Sequence, residues 1–199
     1  AALTAPDRPA QFAAARAAGA DLVELRLDYL SHLPEARIVE TVKKAAKNCP
    51  LPIIATIRAS REGGAAREGV AADDRRREAL FTLLLPHVAA VDVELSSSAL
   101  GPVTSAARKA GIPAIVSYHH FSSTPAVGRL RALAQLCKAR GGDIVKIVTV
   151  ARTPAEHIRL LTLLHERPSE PLAAFSMGHQ ARKYALLALL GTCTKEPLH

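Results

Sequence analysis

The sequence predicts an α/β fold, a (β/α)8 barrel of the TIM type, short or truncated at its C-terminal end. The whole chain, residues 1–199, is expected to form this one domain. Strand and helix signals alternate along the chain, and repeated βα units imply a parallel sheet. No Gly-rich phosphate loop of the dinucleotide-binding type follows the first strand, which favours a closed barrel over an open sheet. A chain of 199 residues is at the low edge of the range for such barrels.

The predicted strands are short apolar runs separated by polar segments, as buried strands usually are. A weak strand at Ala2–Ala5 comes first, and a last strand near Thr192–Pro197 brings the number to eight. The six clear runs are Leu22–Leu27, Ile53–Ile57, Ala90–Leu95, Ala114–Tyr118, Ile144–Val150 and Leu172–Ser176.

The segments between these runs are rich in Ala, Leu and Arg and have helical spacing. They cover Pro9–Ala20, Ala36–Lys47, Arg75–Leu85, Ala99–Ala110, Gly128–Arg140 and Pro154–Arg167. Gly19, Gly111 and Gly141 fall near helix ends, where left-handed residues are common. Thr153 before Pro154 supplies a capping side chain and a first-turn proline, so the last of these helices is expected to begin there.

Composition narrows the function classes. With 49% hydrophobic residues the chain is globular, and it has no apolar run long enough to cross a membrane and no secretory signal. The net charge of +8 comes from scattered residues, and only 4% of residues are aromatic, so nucleic acid is not the expected partner. One cluster, Arg75–Arg77, predicts the start of a solvent-exposed helix. An anionic small-molecule substrate fits the charge equally well.

The cysteines predict neither disulfides nor a zinc site. Cys49, Cys137 and Cys193 are an odd number without paired ligand spacing. The eight histidines are dispersed, so no metal is expected. Reduced cysteines indicate a cytoplasmic protein.

The second predicted strand carries charges on one face. One face of the strand is apolar and consists of Val23, Leu25 and Leu27. The other face is charged and consists of Glu24, Arg26 and Asp28. In a sandwich the charged face would contact water. In a barrel the helices cover the apolar face, so the charged face points inward.

Other strands show the same pattern. Arg58 follows Thr56 at the end of the third strand, Asp92 and Glu94 alternate with valines, and Ser117 shares a face with His119. Barrels of this type have their active sites at the C-terminal ends of the strands. We therefore expect the following residues to converge there: Glu24, Arg26, Arg58, Glu94, His119 and Lys146.

Lys146 is the most informative of these residues because it lies within the apolar run Ile144–Val150. Burying an ammonium group is costly, and a lysine that loses its proton becomes a nucleophile. A lysine at a strand end that pairs with a carboxylate is the structural alternative. The other inward-facing charges favour the nucleophile, so we expect Lys146 to be catalytic.

His119 is the expected general acid-base, since it ends the strand that precedes the lysine strand. His120 is adjacent and should point the opposite way. Glu62, in the loop after Arg58, could orient the imidazole and raise its basicity. Gly63 and Gly64 follow Glu62, and they indicate either a flexible loop tip or a mobile lid.

Five motifs, in order, resemble those of the type I 3-dehydroquinate dehydratase family. They are Glu24–Asp28, Thr56–Arg58 with Glu62–Gly64, Ser117–His119, Val145–Ile147 and Ser176–Gly178. The resemblance covers the chain from about residue 20 to residue 180, and the motifs together are specific where each alone is weak.

The resemblance implies a cofactor-independent lyase of the shikimate pathway, commonly a dimer. Lys146 would form an imine with the ketone of 3-dehydroquinate, a small anionic cyclic hydroxy-keto acid. His119 would move the protons, and Glu62 would hydrogen-bond to it. By the same resemblance, Glu24, Arg26 and Arg58 would hold substrate hydroxyls or one another. Phe175 and Met177 would line an apolar wall.

Two departures from the family concern the substrate carboxylate. The family arginine that grips it falls on Ala185. Arg182 or Lys183 could substitute from a neighbouring turn, and Arg182 is the expected one. The family's closing segment, with a serine and a glutamine, is not visible. Either the chain is truncated or carboxylate recognition is altered. The alternatives to the dehydratase are another lysine-imine lyase or aldolase, and a degenerate homologue that binds a ligand or partner.

Overall fold

The structure, a computed structural model, describes residues 1–4, 9–65 and 68–178. Its strands are Ala2–Leu3 (β1), Val23–Arg26 (β2), Ile53–Thr56 (β3), Ala90–Glu94 (β4), Ala114–His120 (β5), Ile144–Val150 (β6) and Leu172–Met177 (β7). Its α-helices are Pro9–Ala17 (α1), Glu35–Asn48 (α2), Asp74–Leu84 (α3), Leu100–Lys109 (α4), Val127–Ala139 (α5) and Pro154–His165 (α6).

The seven strands of the described residues hydrogen-bond to one another in sequence order. The registered pairs β1–β2, β2–β3, β3–β4 and β6–β7 are all parallel. A helix separates most consecutive strands, so the predicted α/β class with a parallel sheet is confirmed. The predicted strand near Thr192–Pro197 lies outside the described residues.

Most strand ends lie within one or two residues of the prediction, and two of the differences affect the polar residues. β2 stops at Arg26, and a short 3-10 helix, Leu27–Leu30, follows it. The turn places the Asp28 carboxylate against the backbone N–H groups of Arg58 and Ala65, an arrangement that a continued strand would not give. β5 runs two residues further than predicted, to His120, so both adjacent histidines belong to the strand.

The chain forms two compact units. The first comprises residues 1–116 and 140–143. Its strands bury Val23, Leu25, Ala55 and Val93 completely, and its helices bury apolar stripes of their own. The helical core residues of this unit include Phe12, Ile38, Val42, Leu80, Phe81, Leu84, Leu100 and Val103.

The second unit comprises residues 117–139 and the described residues from Ile144 onward. Val145 and Ile147 of β6 are fully buried, and α5 contributes Leu130, Leu133 and others to the same core. The helix α6 packs against β7, and α5 packs against both α6 and β6.

The predicted helix ends are confirmed. Gly19, Gly111 and Gly141 have φ values of 81°, 69° and 95° and follow α1, α4 and α5, because a residue without a side chain adopts this left-handed conformation without strain. The Thr153 hydroxyl accepts the Glu156 N–H at 3.3 Å, which caps α6. None of the helices described is long and apolar enough to span a membrane.

Candidate active site

In the first unit, Arg26 at the end of β2 forms an ion pair with Asp28. The Arg26 guanidinium donates two hydrogen bonds, each 2.8 Å long, to the two oxygens of the Asp28 carboxylate. This hydrogen-bonded partner raises the pKa of Arg26, although burial acts in the opposite direction. Asp28 is fully buried and also accepts the Ala65 N–H at 2.9 Å. Arg26 is thereby held charged and half-exposed.

Glu24 lies two residues before Arg26, on the same face of β2. Its carboxylate accepts a 2.7 Å hydrogen bond from the Thr56 hydroxyl of β3. The pair links the two strands where Arg26 and Thr56 are directly opposite in register. Glu24 also acts electrostatically on both Arg26 and Arg58. The predicted grouping of Glu24, Arg26 and Arg58 is therefore present within this unit.

Arg58, after the end of β3, is almost fully buried, with 3% of its surface exposed. Its guanidinium donates to Asp92 at 3.0 Å and lies 3.6 Å from a Glu94 carboxylate oxygen. Burial alone would lower the pKa of Arg58, but the carboxylates of Asp92, Glu94 and Glu24 raise it above its ordinary value. A buried arginine with two carboxylate partners is a fixed, permanently charged group.

Glu62 ends a short 3-10 helix, Ser60–Glu62, in the loop after Arg58. Its carboxylate accepts a hydrogen bond from the Ser96 hydroxyl, just beyond β4. Gly63 has a φ of 79°, and the Gly64 N–H donates to Ala59 O at 3.0 Å. Hydrogen bonds thus hold this loop as far as Ala65, whose N–H donates to the Asp28 carboxylate. The flexible tip or lid at Gly63 and Gly64 stays a prediction.

The predicted solvent exposure of Arg75–Arg77 is wrong for one residue. Arg77 is completely buried, whereas Arg75 and Arg76 are exposed. Its guanidinium donates to the Glu94 carboxylate and, at 3.0 Å, to the Ile57 carbonyl oxygen. Arg77 also begins the buried stripe of α3, which continues at Leu80, Phe81 and Leu84. That stripe, with spacings of three and four residues, was the signal in the sequence that could have identified Arg77.

In the second unit, Lys146 lies at the centre of β6. The expected burial of Lys146 is wrong in degree, because the side chain is half-buried while Val145 and Ile147, on the other face, are fully buried. The cause is the alternation of the strand, which places Ile144 and Lys146 together on the less buried face. A half-buried lysine remains open to a ligand.

His119 lies on β5, the strand next to the lysine strand. The His119 ring stacks on the Phe121 ring with 6.2 Å between centroids, and the His120 ring stacks on Tyr118 at 6.3 Å. The two histidines therefore point to opposite faces, as predicted. His120 Nδ1 also lies 2.8 Å from the Ser123 carbonyl oxygen, which gives His120 a structural contact.

The register of β6 with β7 shows on which face of the sheet Phe175 and Met177 lie relative to Lys146. Phe175 is opposite Val148 and Met177 is opposite Val150. Residues in register in a parallel pair share a face, and Val148 and Val150 share the face of Lys146. Phe175 has 47% of its surface exposed and Met177 is half-buried. Both side chains are thus on the lysine face, where the family resemblance implies an apolar wall.

Sequence reasoning missed two polar contacts that support these strands. The His157 ring of α6 lies 2.8 Å from the Ser176 hydroxyl of β7, and burial lowers the pKa of His157. The Thr124 and Thr149 hydroxyls, both buried, are 2.7 Å apart. No spacing in the sequence links these pairs, because each joins elements that are distant along the chain.

Some expectations are not tested by these contacts. The Glu62–His119 pair joins residues of different units and stays a prediction, and Arg182 and Cys193 lie outside the described residues. Neither Cys49 nor Cys137 forms a disulfide within the described residues. Within residues 1–4, 9–65 and 68–178, no group of three or more His, Cys, Asp or Glu side chains is arranged to hold a metal ion.

Comparisons with known proteins agree on one family. The family profile described as Type I 3-dehydroquinase matches residues 2–192. A 3-dehydroquinate dehydratase of Thermococcus onnurineus is 34% identical over 171 residues, which is 86% of this chain and 74% of the relative. The enzyme of the same name from Pyrococcus abyssi is 32% identical, over 84% of this chain and 72% of the relative.

A solved structure gives the same result. The crystal structure of the 3-dehydroquinate dehydratase from Aquifex aeolicus matches with a TM-score of 0.77 and 31% sequence identity. The match covers 95% of this chain and 82% of that chain. The profile, the relatives and the fold lead to one conclusion: the chain belongs to the type I 3-dehydroquinase family.

Proposed function

We propose that the protein is a hydro-lyase that eliminates water from 3-dehydroquinate and gives 3-dehydroshikimate through an imine on Lys146. The observation that carries the proposal is the family match over residues 2–192, within which Lys146 and His119 occupy neighbouring strands of one unit. The relatives named as 3-dehydroquinate dehydratases support the reaction. The covalent route is the finer part of the proposal and needs its own test.

The chemistry begins at the Lys146 amine. Its nitrogen attacks the substrate ketone, and loss of one water gives a protonated imine. The imine withdraws electrons, so a proton on the neighbouring carbon becomes acidic. Removal of that proton gives an enamine, which expels the β-hydroxyl as a second water. Hydrolysis of the remaining imine consumes one water, so the net change is the loss of one water from the substrate.

His119 is assigned both proton transfers in this proposal. Its imidazole accepts the proton from the carbon next to the imine and then donates a proton to the departing hydroxyl. A single group that alternates between base and acid suits an elimination in which one proton is removed and one is supplied. Glu62 would orient the imidazole, and the Ser96 hydroxyl, which donates to Glu62, would fix that carboxylate.

The polar groups of the first unit are assigned to the substrate hydroxyls. Glu24 and Arg26 are half-buried on the same face of β2. Arg58 is more enclosed and already contacts Asp92 and Glu94, so its role is as much to order this cluster as to bind. Charged groups that are fixed in advance bind a polar ligand without a further cost of ordering.

Phe175 and Met177 are assigned to the apolar wall beside the imine, since they share the face of Lys146. Arg182 is assigned to the substrate carboxylate, an assignment that rests on the sequence alone. We also expect a homodimer in the cytoplasm that needs no metal or organic cofactor. These expectations follow from the family resemblance.

Borohydride trapping tests the proposal. Reduction in the presence of 3-dehydroquinate should add the ligand mass to the peptide that contains Lys146. Lys146→Ala should abolish the adduct and lower the turnover rate by orders of magnitude, because the covalent path is lost. Lys43→Ala and Lys44→Ala, in exposed positions of α2, are matched controls that should keep both the adduct and the rate.

The product then separates the alternatives. A conjugated enone carboxylate, followed by its ultraviolet absorption, identifies the dehydratase. An adduct on Lys146 with a different product would identify another lysine-imine lyase or aldolase. Binding of the substrate without adduct or product would identify a degenerate homologue, and the proposal would be wrong.

A further inference from the structure

Arg77 is the most completely buried charge on α3, and four acceptors surround its guanidinium. It donates to Ile57 O at 3.0 Å, to an Asp74 oxygen at 2.6 Å, to the Ser97 hydroxyl at 3.3 Å and to the Glu94 carboxylate. With no exposed surface, Arg77 does not contact a ligand. Its partners, however, lie next to residues that the proposed function assigns to substrate binding and catalysis.

The contacts of Arg77 fix the backbone on both sides of Arg58. Arg77 binds the carbonyl of Ile57, the residue before Arg58. Glu94, which Arg77 holds, accepts the N–H of Ala59, the residue after Arg58, at 2.7 Å. The same Glu94 carboxylate lies 3.6 Å from the Arg58 guanidinium. The backbone and the side chain of Arg58 are both fixed by the Arg77–Glu94 pair.

The segment that Arg77 fixes continues to Glu62. The Ala59 carbonyl oxygen accepts the Glu62 N–H at 2.9 Å and the Gly64 N–H at 3.0 Å. Ala59 is therefore anchored to Glu94 through its N–H and anchors the Glu62 turn through its carbonyl. One buried arginine thus supports the polypeptide from Ile57 to Gly64.

The charges in this cluster are balanced in pairs. Two buried cations, Arg58 and Arg77, face two buried carboxylates, Asp92 and Glu94. Removal of one member leaves a buried charge without its full compensation, so the remaining groups must move or admit water. Lysine would keep the charge of Arg77, but a single ammonium group cannot reproduce the fork that reaches a carbonyl and a carboxylate together.

We propose that Arg77 is a positioning residue for substrate binding, which acts through Glu94 and the Ile57–Ala59 backbone to hold Arg58. The inference rests on the proposed function, because it takes Arg58 as part of the substrate site. It predicts that a change at Arg77 weakens substrate binding through Arg58.

Arg77→Lys is the first variant to test. Its KM for 3-dehydroquinate should rise by roughly 10-fold, the lower end of the effect expected when a charge-assisted hydrogen bond to the substrate is lost. Its kcat should change less than its KM, since Lys146 and His119 remain. The double variant Arg77→Lys, Arg58→Lys should have nearly the KM of Arg58→Lys alone, because both changes disable the same contact.

Matched controls separate positioning from stability. Arg75→Ala changes an exposed arginine of the same helix and should leave KM and Tm unchanged. Leu84→Ala removes a fully buried side chain of α3 and should lower Tm without raising KM. If Arg77→Lys fails to fold, the pair Arg77→Met with Glu94→Leu removes both charges together and provides a second variant. A lowered Tm with wild-type KM in Arg77→Lys would overturn the inference.

A second readout is independent of turnover. Phenylglyoxal modifies accessible guanidinium groups, and Arg58 should be protected in the wild type because only 3% of its surface is exposed. Arg77→Lys should increase the modification of Arg58 several-fold, as read by peptide mass, and Arg75→Ala should not. Unchanged protection of Arg58 would refute the positioning role even if the wild type proved to have no dehydratase activity. Inactivity of the wild type would instead count against the proposed function.

Discussion

Adjacent residues of one strand can have entirely different roles, and His119 and His120 of β5 illustrate this. Their rings stack on different neighbours, Phe121 and Tyr118, so the two side chains lie on opposite faces of β5. His119→Ala should lower kcat by roughly 10²–10⁴-fold, the usual contribution of a general acid-base. Borohydride should still trap an imine in this variant, since Lys146 is intact. Steady-state turnover and adduct mass are the measurements.

His120→Ala is the matched control. It removes the contact with the Ser123 carbonyl and the stacking on Tyr118, so it should lower Tm modestly and leave kcat within a few-fold of wild type. The reverse pattern, with His120→Ala inactive and His119→Ala normal, would show that the assignment of faces to β5 is wrong.

Single residues were predictable where they lie on strands and less so where they lie on helices. Glu24 and Arg26 could be assigned because alternation on β2 gives each residue a face, and the observed burial follows that alternation. Arg77 was misassigned because a run of three arginines suggests solvent. The placement of Arg77 on the buried stripe of α3 mattered more than its charge. Lys146 was expected to be more buried than it is, because an apolar sequence does not show which face of a strand is covered.

At the scale of elements, the loop between β3 and α3 has the strictest requirement. A side-chain carbon added at Gly64 would lie 2.1 Å from the Arg58 carbonyl oxygen and 2.8 Å from that of Ala59. Both are backbone atoms, so the clash cannot be relieved by a rotamer change. Gly64→Ala should therefore lower the free energy of unfolding by about 1–3 kcal/mol, as overpacking does. It should also reduce turnover, since Arg58 and Glu62 flank the clash.

Gly101→Ala is the control for this loop. Nothing lies within 4 Å of the added carbon, and the position is in α4. Alanine is favoured over glycine in helices by up to about 1 kcal/mol, so this variant should be neutral or more stable. Chemical denaturation of both variants, with turnover measured beside it, makes the comparison. Equal stability of the two variants would contradict the close approach at Gly64.

The elements themselves were largely predictable from hydrophobic period and end signals. Each predicted strand and helix between Ile53 and Met177 is present, with ends that shift by a few residues. The exceptions have tertiary causes. β2 gives way to a 3-10 turn because the Asp28 carboxylate binds backbone N–H groups of a distant loop, and no local propensity records such a contact.

For the whole molecule, the charges that pair in the folded state determine how stability depends on pH. The pKa values of Glu35, Glu40, Asp74, Glu166 and Glu170 are all lowered. For Asp74, burial alone would raise the pKa, but hydrogen bonds from Ser98 and Arg77 hold it well below its usual 3.8. The net charge of +8 at pH 7 grows as carboxylates protonate, which adds repulsion in acid.

His157 makes stability depend on pH closer to neutrality than the carboxylates do. It is buried, with 7% of its surface exposed, and burial lowers its pKa below the ordinary 6.5. For His157 and for Asp74 the folded pKa is below the unfolded one, so the unfolded chain binds more protons between the two values. Stability is therefore complete above the unfolded pKa and is lost as the pH falls through the folded pKa.

The free energy of unfolding should accordingly rise with pH, below about pH 6.5 through His157 and below about pH 4 through Asp74, which are the ordinary pKa values of these groups. His157→Gln should flatten the curve below about pH 6.5, by at most about 1.4 kcal/mol per pH unit, the slope that one proton allows. Asp74→Asn should be less stable than wild type at neutral pH, and the difference should narrow as the pH falls below about 4, the ordinary pKa of Asp74. Urea denaturation from about pH 2 to about pH 7 measures all three curves. If the His157→Gln curve runs parallel to that of the wild type, the pKa of His157 is the same in the folded and unfolded states and the prediction is wrong. If the stability difference between wild type and Asp74→Asn is the same at every pH, that variant loses packing and not a charge interaction.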